Sequence, residues 1–155
     1  LFGGDFRVNG GFPLSRGPFT RFSAGLSYHL LLSYLLSEGA DFASTMRIPY
    51  QPEHTAGFSA EFAWITKKKN KGALTVSGHY EGRRFTDTGN VNFLPPHFLL
   101  NIQVNQQAGE NLDFFAVARN VLNASYESFA DYPMQGITLT AGLRFKTNFT
   151  PKGTK

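Results

Sequence analysis

The chain has 155 residues and a formal net charge of +4, and it is 41% hydrophobic, 15% aromatic and only 17% charged. Soluble domains usually carry about a quarter charged residues, so this composition is poor in charge and rich in rings. The chain contains no cysteine, which excludes a disulfide framework and a thiolate metal site. No apolar run approaches the roughly 18 residues of a spanning helix, so a membrane crossing would require strands.

Strands are predicted from Arg21 onward, because apolar and polar residues alternate with a period of two. The apolar positions are even-numbered in the segments Phe22 to Leu36, Ala56 to Trp64, Leu74 to Tyr80 and Phe98 to Val104, and odd-numbered in Ile137 to Phe145. Leu112 to Asn120 alternates less clearly, because Phe115 and Val117 lie on its polar face. Beside these six predicted strands, Leu1 to Phe12 is a weaker candidate for a seventh strand.

The apolar faces of these segments are predicted to contact membrane lipid. The segments are about ten residues long, as a tilted strand needs to cross a bilayer. Their opposite faces carry mainly Ser, Thr, Asn, Gln and Gly, which is typical of a wetted barrel interior. The residues expected to face lipid are Phe58, Phe62, Trp64, Tyr80, Phe98, Leu139, Leu143 and Phe145.

The connections between these segments alternate in length. Those predicted to be long are Ser37 to His54, Arg83 to His97 and Asn123 to Gln135, and those predicted to be short are Thr66 to Gly72 and Gln106 to Asn111. Bacterial barrels join their strands by short periplasmic turns and long outer loops in the same succession. If the last strand ends in the periplasm, the long connections lie outside the cell.

The basic residues give no sign of a nucleic-acid site. They are concentrated at Lys67, Lys68, Lys69 and Lys71, and in the tail at Lys152 and Lys155. No aromatic residues interleave with them, so we interpret them as solvated turn and terminal residues and expect no nucleic-acid partner.

Several short stretches resemble a known family when they are taken together. They are Ile48 to His54, Tyr80 to Phe85, Leu94 to His97, Arg119 to Asn123, Tyr126, Tyr132 to Met134, and Gly136. In order and spacing, over roughly Arg21 to Phe149, they are similar to the C-terminal strands of TonB-dependent outer-membrane receptors. Departures occur at Asp131, Gln135 and Ile137, where the family usually has Gly, Pro and Arg, and the chain continues past Phe149, which takes the place of the family's terminal aromatic.

The resemblance implies an antiparallel transmembrane β-barrel of about 22 strands, of which residues 1–149 are the C-terminal strands and residues 150–155 a polar tail. The plug domain and the TonB-contacting segment are then expected outside this chain. The implied location is the outer membrane of a Gram-negative-type envelope, in contact with lipopolysaccharide. The implied function is uptake of a ferric siderophore, another metal chelate or a vitamin, energised by the TonB complex, with neither an enzymatic activity nor a cofactor.

Ligand-binding residues are predicted in the long connections, at Arg47, Tyr50, Arg83, Arg84, Phe85, Tyr126, Phe129 and Tyr132. Guanidinium groups suit anionic chelates, and rings suit apolar or aryl groups. The alternative for these residues is loop packing or lipopolysaccharide contact. His79 and Glu81 share a face, but no nucleophile accompanies them, and the histidines lack the paired spacing of a metal site.

Two other interpretations of the whole chain remain open at this point. One is a small eight-stranded outer-membrane barrel that serves adhesion or envelope anchoring, for which six clear strands are too few. The other is a soluble β-sandwich that binds carbohydrate, since alternation alone describes any half-buried sheet.

Overall fold

The computed structural model describes residues 2–14, 17–35 and 46–146. Leu36, Phe149 and the tail 150–155, about which the sequence makes predictions, lie outside these ranges. The described residues form antiparallel strands and no helix, so the all-β prediction is confirmed. No helix suited to cross a membrane is found in this part of the chain.

Seven long strands build one sheet, and short two-stranded pairs extend its connections. In chain order the long strands are β1 (Phe2–Pro13), β2 (Phe19–Leu32), β5 (His54–Ile65), β6 (Lys71–Glu81), β9 (His97–Gln107), β10 (Leu112–Arg119) and β13 (Thr138–Phe145). The short strands are β3 (Tyr34–Leu35), β4 (Met46–Arg47), β7 (Arg84–Phe85), β8 (Phe93–Leu94), β11 (Glu127–Phe129) and β12 (Tyr132–Pro133).

The long strands follow one another in an antiparallel meander, so each pairs with the next long strand along the chain. The weak candidate at the N-terminus is a full strand, β1, which pairs with β2 along its whole length. β1 and β13 are the two edges of the sheet, and they do not pair with each other in the described structure.

The strand register places the predicted apolar faces together on one side of the sheet. One cross-strand row consists of Phe12, Phe22, Phe62, Leu74, Val104, Ala116 and Ala141. The predicted change from even to odd numbers between β10 and β13 falls in this row, and Phe115 and Val117 lie on the polar side as predicted. The alternation within each strand therefore belongs to a single two-sided sheet.

Nothing in the described chain covers the apolar side. The one buried hydrophobic side chain is Leu94, which lies in a connection and not on a long strand, and no described side chain is less than 2% exposed. Leu26 is 60% exposed, Leu139 77% and Phe145 71%. Among the described residues the sheet is thus a single layer with many of its apolar side chains exposed, and no second sheet packs on it.

Rings from neighbouring strands cover a glycine on the apolar side. Phe58 and Phe98, on either side of Gly78, stack with ring centroids 6.3 Å apart. A Cβ atom at Gly78 would lie 2.2 Å from the Phe58 ring, so the rings can occupy this position only if residue 78 is glycine. Such aromatic cover compensates for the missing side chain and helps to fix the register.

The connections alternate in length as predicted. The short ones are residues 14–18, 66–70 and 108–111, and the long ones are 33–53, 82–96 and 120–137. Successive turns of a meander lie at opposite ends of the sheet, so all long connections share one end. We call this the long-loop end, and the opposite one the short-turn end.

Candidate functional site

The predicted ligand-binding residues all belong to the connections at the long-loop end. Arg47 ends β4, Tyr50 follows it, and Arg83 precedes β7, which consists of Arg84 and Phe85. The remaining three, Tyr126, Phe129 and Tyr132, lie in the third long connection, in or beside β11 and β12. Contacts among these connections determine which of their side chains remain available to a solute.

Arg84 is occupied by contacts inside the protein. Its Nη1 lies 2.9 Å from Oε1 of Glu81, and its Nη2 donates a 2.7 Å hydrogen bond to the backbone carbonyl of Glu127. A longer bond of 3.4 Å reaches the carbonyl of Ser128, and the whole residue is only 6% exposed. Arg84 therefore joins the second long connection to the third.

His97 and Tyr126 extend the same cluster. The His97 ring stacks on Tyr126 with centroids 4.4 Å apart and an angle of 19° between the planes. Its Nε2 lies 3.7 Å from Oε2 of Glu81, which is its cross-strand partner. From the sequence, His97 is predicted only to begin a strand. Once the strand register is known, His97 and Glu81 are on the same side of the sheet, which predicts their contact.

The first and second long connections are joined through Asn90. Its Oδ1 accepts a 2.5 Å hydrogen bond from the backbone N–H of Arg47, and its Nδ2 donates a 3.0 Å bond to the Arg47 carbonyl. The Arg47 side chain pairs with Glu53. Nearby, the Tyr50 N–H donates to the Phe85 carbonyl at 2.7 Å. No motif in the sequence singles out Asn90.

The paired asparagines of the Arg119 to Asn123 stretch join the two ends of the third long connection. Asn120 and Asn123 both have left-handed backbones, with φ of 51° and 53°, which asparagine tolerates better than most residues. Asn120 is 4% exposed, and its side chain bonds to the backbone N–H and carbonyl of Ala124 and to the Gln135 carbonyl. Asn123 Oδ1 accepts from the Ile137 N–H at 3.3 Å. These contacts give the motif a structural role.

Arg83 differs from its neighbour because it is exposed. Its guanidinium lies 5.1 Å from the centre of the Phe85 ring and 5.3 Å from that of Phe93, within cation–π range of both. Arg83 makes no ion pair in the described part of the chain. Its hydrogen-bond donors are thus presented to solvent, while two rings hold the group in position. Phe93 is a member of this site that the sequence did not single out.

Other rings at the long-loop end are exposed to different degrees. Phe129 packs against Tyr50 at 5.0 Å between centroids but is still 58% exposed. Tyr132 is 70% exposed, and no ring contact joins it to the Arg83 group in the described residues. The structure therefore brings Arg83 together with Phe85, and Tyr50 with Phe129, but it does not gather all the predicted residues at one point.

The polar side of the sheet carries a row of ionisable groups just below the long connections. Asp5, His29, Thr55, Glu81 and His97 are successive cross-strand partners. Asp5 Oδ1 lies 2.5 Å from Nδ1 of His29, while Glu81 is engaged by Arg84. Within the described ranges, no group of three or more His, Asp or Glu residues is arranged to hold a metal ion.

Comparison with known proteins adds no relative. No protein-family model matches the chain, and no curated protein or solved structure matches it. Three features of this chain bear on its function: an exposed apolar sheet face, interlocked long connections, and the exposed Arg83 over two neighbouring rings.

Proposed function

We propose that this chain forms part of the wall of an outer-membrane β-barrel, and that the barrel is a TonB-dependent receptor for a scarce nutrient. The observation that carries the proposal is the alignment of the apolar side chains of seven strands on one uncovered side. Soluble monomers rarely expose apolar patches larger than a few hundred Å². Lipid tails cover such a face without cost, and the polar side then lines the barrel interior.

Two aromatic bands on the apolar side support a bilayer crossing. Near the short-turn end, Phe19 packs edge-on against Trp64 with centroids 6.2 Å apart. Near the long-loop end, Tyr28, Tyr80 and Phe98 lie in one cross-strand row with Ala56. Ala56 and Trp64 are eight steps apart on β5, or about 26 Å along the strand. With a tilt of about 40° this spans ~20 Å, close to the apolar band of known barrels.

The open edges of the sheet support a barrel larger than these strands alone. β1 and β13 carry backbone groups that are unpaired in the described structure. Hydrocarbon offers no hydrogen bonds, so further strands are needed to complete the wall. An eight-stranded barrel would bring the two ends of the sheet close to closure. A larger barrel, as the resemblance implies, fits an open sheet of this size better.

Solute binding is proposed at Arg83 with Phe85 and Phe93. An exposed guanidinium held over two rings suits an anionic group on an aryl or chelate ligand. Exposed Phe129 and Tyr132 add apolar surface to the same end. Arg47, Arg84 and Tyr126 are assigned to holding the long connections together, because their side chains are taken up by protein partners. Energy coupling through TonB requires the plug of the complete receptor.

Refolding of the chain with and without an apolar phase tests the proposal. Unfolded chain is diluted from urea into plain buffer, detergent micelles or phospholipid vesicles, and strand content is followed by circular dichroism. A barrel wall gains strand content only with detergent or lipid, because its apolar side has no protein cover. A folded monomer in plain buffer would contradict the proposal and favour the soluble sandwich.

A further inference from the structure

The polar side of β10 carries an aromatic residue that a wetted wall does not require. Phe115 lies between Asn105 of β9 and Gly142 of β13. A Cβ atom at Gly142 would be 2.6 Å from Cζ of Phe115, so the ring lies flat across the backbone of the neighbouring strand. Val117, two residues further along, is on the same side. Together they place an apolar strip beside Asn105 and Gln103 of β9.

Cations surround Phe115 at the short-turn end. An open groove of about 570 Å³ is lined there by Phe115 together with Lys69, Lys71, Arg144 and Lys146. Lys146 pairs with Asp113 at 2.6 Å, whereas the other three cations have no acidic partner among the described residues. Asp113 is the one acidic side chain in the described part of the groove lining, so the four cations leave an excess of positive charge there.

Side-chain amides complete the groove. Asn105 and Gln107 belong to its lining, and both share the side of the sheet on which Phe115 lies. Amides donate and accept hydrogen bonds, as the backbone of an extended peptide does. The groove therefore places cations that can bind carboxylates, amides that can bind a peptide backbone, and an apolar ring next to one another.

We propose that this groove binds an acidic polypeptide segment, with an apolar side chain of that segment on the Phe115 ring and its carboxylates on Lys71 and Arg144. The inference rests on the proposed barrel, in which this side faces the interior and the short-turn end faces the periplasm. A phospholipid fits less well, because its acyl chains need the apolar side of the sheet. Charge complementarity and the single ring select an acidic segment with apolar residues over a purely acidic one.

Binding to the complete barrel, folded in detergent, tests this inference, because the described strands of this chain alone leave two edges unpaired. The probe is a fluorescein-labelled octapeptide of alternating aspartate and leucine, measured by fluorescence anisotropy. We expect it to bind, and to bind more weakly as salt is raised, because exposed cations are screened beyond about 10 Å at 0.1 M salt. We expect the double variant K71Q/R144Q to weaken binding roughly tenfold or more, since two charge contacts are lost.

A matched control separates the groove from general charge. The double variant K67Q/K68Q removes the same charge from the neighbouring turn, outside the groove lining, and should bind as the unmodified chain does. Phe115→Thr keeps a residue type suited to a strand and removes the ring from the groove lining, so it should weaken the alternating peptide but not an all-aspartate octapeptide. Circular dichroism establishes that each variant is folded.

Several results would overturn the inference. They are an equal loss in both lysine-containing double variants, equally tight binding of the all-aspartate peptide, or displacement of the peptide by millimolar glycerol 3-phosphate, which would indicate a phosphate site. A complete barrel that folds in detergent but ignores the peptide refutes the groove alone. Folding of the chain as a monomer in plain buffer refutes the barrel proposal, and the groove inference with it.

Discussion

The Arg84 guanidinium lies 2.9 Å from the Glu81 carboxylate, three residues earlier, and the Arg84 side chain is almost fully buried. The adjacent arginine, Arg83, is exposed and lies over the Phe85 and Phe93 rings. Two consecutive arginines thus have different environments, one inside the interlocked connections and one on their surface.

Arg84→Gln should destabilise the folded chain much more than Arg83→Gln. Removing one partner of a buried ion pair leaves Glu81 uncompensated, which costs roughly 3 kcal/mol, and it removes the donors to Glu127 and Ser128. The exposed Arg83 contacts are worth about 0.5–1 kcal/mol. Urea titration of the chain in detergent measures both values. Equal losses would mean that the Arg84 cluster does not stabilise this end.

Asn120→Ala should loosen the third long connection. Alanine pays a cost of about 1–2 kcal/mol in the left-handed region, and it loses the side-chain bonds to Ala124 and Gln135. We expect faster proteolysis within residues 120–137, measured by limited digestion and mass spectrometry.

Asn120→Gly is the control for that prediction. Glycine tolerates the left-handed backbone but has no side chain to bond. It should recover the part of the stability that depends on φ and leave the hydrogen-bond loss. If Asn120→Gly behaves as the unmodified chain does, the side-chain bonds contribute nothing, and only the backbone conformation selects asparagine.

Leu139→Arg should impair folding into vesicles, whereas Thr140→Arg should not. Leu139 is 77% exposed on the apolar side, and Thr140 is on the opposite side of the same strand. An arginine facing lipid near the bilayer centre costs about 2–4 kcal/mol, while the barrel interior tolerates it. Urea-dependent folding into phospholipid vesicles measures the difference. Similar stabilities for the two variants would argue against lipid contact at Leu139.

Asp87 should make the second long connection sensitive to acid. Backbone N–H groups of Asn92 and Val91 donate to its carboxylate at 2.7 and 3.1 Å, and they hold its pKa below the ordinary value. A lowered folded pKa means that the stabilisation is present above the unfolded pKa and is lost as pH falls through the folded one. Protonation should therefore loosen the turn that presents Asn90 to Arg47.

The NMR signal of the Asn90 side-chain amide, in labelled chain in detergent, reports this titration. We expect a midpoint below that of a free aspartate, and no transition in Asp87→Asn. A midpoint at the free value would show that the two backbone bonds do not stabilise the carboxylate.

Much of the sheet was predictable because strand pleating is local. Alternate residues point to opposite sides, so Phe62 and Trp64 had to share a face, and Phe115 had to lie opposite Phe114. β1 was harder to predict, because Gly3, Gly4, Gly10 and Gly11 interrupt its apolar pattern. Only pairing with β2 along its full length shows that this segment is a strand.

The sequence alone determined strands with one apolar side each and the alternation of short and long connections, since both follow from the order of residues along the chain. The tertiary structure decided which strands are neighbours, that their apolar sides form one surface, and that Arg84 is buried while Arg83 is exposed. Those properties depend on contacts between residues far apart in the chain, such as Arg84 with Glu127 and Asn90 with Arg47. Local periodicity does not predict such contacts, because they form only when the strand register brings the long connections together.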